Sequence, residues 1–112
     1  MKQDILTRLY STVLSLEKCL TMSQEMLDEQ RGQPKSVAEV LKQQEKVLVH
    51  MRRAANKVQF GLARGDWKEV TRQVQIFDGL WQMISPELMA IFSALSNRQV
   101  AYQFVDSQVA VH

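Results

Sequence analysis

The chain has 112 residues, 46% of them hydrophobic, with 14 Lys+Arg against 12 Asp+Glu, four Gly, two Pro and one Cys. That is enough for one small domain with an apolar core, and too little Gly and Pro for a loop-rich β fold or a disordered chain. A single cysteine excludes an internal disulfide framework and points to a reducing, cytoplasmic setting, while no apolar run approaches the roughly 18 residues of a membrane span.

Met1-Lys2-Gln3-Asp4 opens directly into a helical pattern, without a signal peptide's apolar block. Leu6, Leu9, Val13, Leu16, Leu20 and Leu27 follow spacings of three and four, with Ser23 the only polar member. A helix over about residues 3–31, roughly 40 Å long, is expected. Arg31-Gly32-Gln33-Pro34 should end it, and Ser36-Val37-Ala38-Glu39 forms a capping box for the next. The second helix, about 37–63, carries Val37, Leu41, Leu48, Met51, Ala55, Val58 and Leu62, interrupted at Gln44. Arg64-Gly65-Asp66 gives a helix-ending Gly followed by an N-cap Asp, with Glu69 three residues on. A third helix, about 67–84 and roughly 27 Å long, places Trp67, Val70, Val74, Phe77, Trp81 and Ile84 on its seam.

Ser85-Pro86-Glu87 combines a cap, a Pro at the first helical position and a first-turn acid. A turn there gives a fourth helix through Leu88, Ile91, Phe92 and Leu95; a continuing chain gives a third arm that is bent. The turn is the expectation, so the fold class is an all-α antiparallel helical bundle of three to four helices, two long and then a shorter pair. Residues 1–106 form the domain and 107–112 a flexible tail; the last dozen residues, 101–112, are rich in β-branched and aromatic residues and carry no clear heptad.

Catalytic patterns are missing. His50 falls on the outer face of the second helix, Glu45 lies off the spacing that would pair it as a ligand, and Cys19 flanks the first seam as a small hydrophobe. The four glycines are too scattered for a phosphate loop. The expectation is a non-enzymatic chain with no metal and no cofactor.

Charge is uneven along the sequence. Residues 35–64 net +5, whereas 1–34, 65–84 and 85–112 each net −1. With Leu41 and Leu48 on the seam, Lys42, Lys46, His50, Arg53 and Lys57 share the opposite face. Such a stripe is a solvated helix face, a steering surface for an acidic protein, or a phosphate track on nucleic acid. Apolar residues beside the seams, among them Ile5, Met26, Val47, Ile76, Leu80 and Met83, widen each face beyond a two-residue coiled-coil seam. Six Met favour a surface that repacks around partners. Gly79, inside the third helix at about 1 kcal/mol relative to Ala, marks a close helix approach or a bend.

The stretch Leu62-Ala63-Arg64-Gly65-Asp66-Trp67-Lys68-Glu69-Val70, followed by a heptad helix, is similar to the hairpin of small bacterial flagellar and type III export chaperones. The resemblance implies a helical protein that sequesters a client's helix, and it carries over no individual residue. From the residues, the expected function is a protein-interaction module, acting as a homodimer or in a hetero-complex and not at a membrane. Its expected contacts are Met22, Met26, Trp81, Met83, Tyr102 and Phe104, with Lys46, Arg52, Arg53 and Lys57 as an electrostatic rim. A nucleic-acid-associated protein using the second helix is the alternative.

Overall fold

A computed structural model describes the backbone of residues 2–30 and 35–111, and the side chains of 4–30 and 35–97. Every regular element in it is an α-helix: α1 (Lys2–Glu29), α2 (Lys35–Arg64) and α3 (Trp67–Val111). The expected turn at Arg31–Pro34 lies outside the described residues, as does the side-chain environment of the boundary expected at 106. Helix α2 begins one residue ahead of Ser36, its expected cap.

Polar side chains fix the register between α1 and α2. The Tyr10 hydroxyl donates to Asn56 Oδ1 at 2.6 Å and lies 3.0 Å from Gln59 Oε1. Arg52 donates to both carboxylate oxygens of Glu17 at 2.7 and 2.9 Å. Gln24 Nε2 donates to Glu45 Oε1 at 2.9 Å. Tyr10, Glu17 and Gln24 step forward by one heptad each while Gln59, Arg52 and Glu45 step back by one, so the two helices run in opposite directions with matched 3.5-residue repeats. Helix α3 runs with α1: Arg8 meets Asp78 at 3.2 Å, and Gln30 Nε2 donates to the Leu95 carbonyl at 2.9 Å.

The three helices bury one shared core. Leu9, Val13, Leu16 and Leu20 come from α1, Leu41, Leu48, Met51, Ala55, Val58 and Leu62 from α2, and Val70, Phe77, Ile84 and Leu88 from α3. Ser23 and Gln44, the two polar interruptions of the seams, are buried as well. Ser23 bonds back to the Cys19 carbonyl at 2.8 Å. Neither side-chain amide atom of Gln44 has a partner among the described residues, a penalty of about 1–3 kcal/mol.

The connection between α2 and α3 is built as the residue types dictate. Gly65 takes a left-handed φ of 70°. Its N–H donates to Leu62 O at 3.3 Å, and Asp66 N–H donates to Gly61 O at 2.9 Å, the paired bonds of a Schellman motif. Asp66 Oδ1 then accepts the Glu69 N–H at 3.2 Å, so one residue closes α2 and caps α3. Gly61 marks the tight approach here, because a Cβ added to it would sit 2.8 Å from Val70 Cγ2. Gly79 faces open space, so it serves no close packing.

The expected break at Ser85-Pro86 is absent. Helix α3 passes through Pro86 without interruption, although an internal Pro removes one helical hydrogen bond and clashes with the preceding turn, at about 3 kcal/mol. Ile84 and Leu88 flank it and are almost fully buried; each contributes about 1.5–3 kcal/mol by leaving water. The seam residues Phe77, Ile84, Leu88 and Leu95 keep the helical period across the Pro, and that shared burial holds α3 together. At about 1.5 Å per residue, its 45 residues match the 67 Å long dimension of the molecule.

Trp67 and Trp81 depart from their expected seam burial, and both are exposed. Since Arg8 pairs with Asp78 and the two helices run the same way, α1 begins at about the level of Arg72. Trp67 lies beyond its reach.

Candidate protein-binding surface

Helix α2 presents its core side to α1 and α3 and leaves a long outward face. Lys42, Arg53 and Arg64 stand eleven residues apart along it; Lys46 and Lys57 repeat the same interval, as do Val49 and Phe60. Eleven residues are very nearly three helical turns, about 16.5 Å, so equivalent side chains line up. All seven are exposed, Val49 at 50% and Phe60 at 64%. Lys42, Lys46, Arg53 and Lys57 form no ion pair among the described residues. The result is a straight basic stripe with apolar side chains set into it.

Beside the stripe runs an open groove of about 510 Å³ between α1 and α2. Glu17, Leu20, Thr21 and Gln24 form one wall, and Glu45, Leu48, Val49, Arg52, Arg53 and Asn56 the other. The Glu17–Arg52 ion pair and the Gln24–Glu45 bond cross its floor. Val49 and Arg53 belong to groove and stripe alike. Leu14, half exposed, lies one heptad before Thr21 on the same side of α1.

The structure does not gather the residues expected at the partner surface into one patch. Met22 is exposed on α1, but Met26 is only 8% exposed and offers no open surface. Trp81 and Met83 are both exposed, yet side chains two apart on a helix point to different sides. Tyr102 and Phe104 have side chains outside the described residues. In the rim, Lys46, Arg53 and Lys57 share the outward face of α2, whereas Arg52 turns toward α1 to hold Glu17. Val49, Phe60 and Leu14 were missed, because attention to the seams passes over apolar residues outside them. The eleven-residue interval was the legible signal.

His50 is exposed on α2. Burial pushes the Cys19 thiol above its ordinary pKa, partly offset by its hydrogen bond with Ser23; this keeps the sulfur protonated and a poor nucleophile. Among the described residues no three His, Cys, Asp or Glu side chains converge as a metal site, and no helix is long and apolar enough to cross a membrane. The chain matches no family model, no curated protein and no solved structure.

Proposed function

We propose that this chain is a non-enzymatic protein-interaction module, an adaptor or chaperone-like protein of the cytoplasm that holds another protein's helix against its own antiparallel helical bundle. One observation carries the reading: with the core closed, large apolar side chains remain exposed on all three helices, Leu14 and Met22 on α1, Val49 and Phe60 on α2, and Ile76, Met83 and Met89 on α3. Exposed apolar surface at helical spacing is what helix-in-groove recognition uses. The unpaired cations of α2 supply steering toward an acidic partner.

The same cations favour nucleic acid as a second reading, and salt separates the two. Phosphate neutralisation loses affinity steeply as salt rises, and groove binding does not. The test is affinity capture at moderate salt from the native cell, comparing the wild-type chain with a Met22→Asp, Val49→Asp, Met83→Asp triple variant. These three sites are exposed, so the fold should persist, checked by circular dichroism. A stoichiometric protein held by the wild type and released by the variant is the expected result. Nucleic acid eluting with salt, or a protein retained equally by both, would contradict the proposal.

A further inference from the structure

We infer that the outward face of α2, with the adjoining α1/α2 groove, takes an acidic amphipathic helix whose apolar anchors stand eleven residues apart. This rests on the protein-binding reading and names the partner's chemistry and register. The argument is complementarity. Two apolar anchors, Val49 and Phe60, are separated by three turns, and a second helix lying alongside α2 meets both with residues of the same separation. Lys42, Lys46, Arg53 and Lys57 flank the anchors and outnumber the acids beside them, Glu39 and the groove-lining Glu45, so carboxylates one turn from each anchor of the partner find unpaired cations.

The groove gives that helix a seat. Thr21 stands on its α1 side and Val49 and Arg53 on its α2 side, with exposed Leu14 one heptad before Thr21. Across it Glu17 is already paired with Arg52, and Glu45 accepts a hydrogen bond from the neutral Gln24 amide, so the partner's carboxylates belong on the stripe side, beside Lys42, Lys46, Arg53 and Lys57. A second copy offering the same stripe would set like charges opposite each other. Phosphate surfaces would meet the cations and leave Leu14 and Val49 unused.

Three synthetic peptides test this with the full chain. The first is helical, with Leu residues eleven apart and Glu one turn to either side; the second has the same composition with the Leu residues nine apart, on opposite sides of the helix; the third replaces Glu by Lys. Fluorescence anisotropy should give the first an affinity at least about tenfold above the other two. Val49→Asp, Phe60→Asp and Arg53→Glu should each weaken it by about tenfold, and Gln82→Glu, at an exposed site on α3, should leave it unchanged. Amide shifts on titration should centre on Thr21, Val49, Arg53 and Phe60. Equal binding of the first two peptides, shifts centred on another face, or tighter binding to anionic vesicles or duplex DNA would overturn the inference. If the peptides fail while a captured protein is still released by Met83→Asp, the register proposal alone falls.

Discussion

Gly65-Asp66 and Ser85-Pro86 read as the same kind of punctuation, yet one reverses the chain and the other lies inside an unbroken helix. At the first, Gly65 adopts a left-handed φ, its neighbours close a Schellman motif, and Asp66 caps the next helix. The five residues of the junction itself, Arg64 through Lys68, are all exposed, and burial resumes only at Leu62 and Val70 on either side. At the second, Ile84 and Leu88 are buried on either side of the Pro. A local signal is worth about 1–3 kcal/mol, and two buried aliphatic side chains match or exceed it. Where a break signal sits in an apolar seam, burial decides.

That contrast can be broken from either side. Leu88→Ala should give the largest effect, a loss of about 2–5 kcal/mol in denaturant unfolding, because it removes burial that carries α3 through the Pro. Pro86→Ala should raise stability, by up to about 3 kcal/mol, by restoring a helical bond and removing a clash. A Pro at the first position of a separate helix would give no such gain, so the sign is diagnostic. Gly61→Ala should cost about 1–3 kcal/mol by overpacking against buried Val70, with Cγ2 only 2.8 Å from the new methyl. Gly79→Ala, into open space, should instead gain about 1 kcal/mol. Paired thermal melts of the two variants would separate a packing glycine from an idle one.

Much of the architecture was written in the spacing. The seam positions of α1 and α2 follow from three-and-four periodicity, because a helix can bury only one side against two neighbours, and the Asp66 cap follows from its own chemistry. What the pattern does not contain is where neighbours end. Trp67 has seam spacing but lies past the start of α1, and Met26 lies off the seam yet is buried. Pro86 could not be read locally, since its outcome depends on what flanking side chains find in space. The surface was the least legible part: periodicity separates inside from outside but does not rank the outside, so Met22, Met26, Trp81 and Met83 were expected at the partner surface and Val49 and Phe60 were not.

The continuity of α3 also governs whether the α1/α2 groove is open. If the chain turned back at Pro86, its last segment would be free to lie on α1 and α2 as a fourth helix and cover Val49 and Phe60. A single distance decides this. Spin labels at Gln75 and Ser93, both exposed, in a Cys19→Ala background, would be read by double electron–electron resonance. A continuous helix predicts a backbone separation of about 27 Å, and a value near 10 Å, that of two adjacent helices, would contradict both the unbroken α3 and the open surface assigned to the partner.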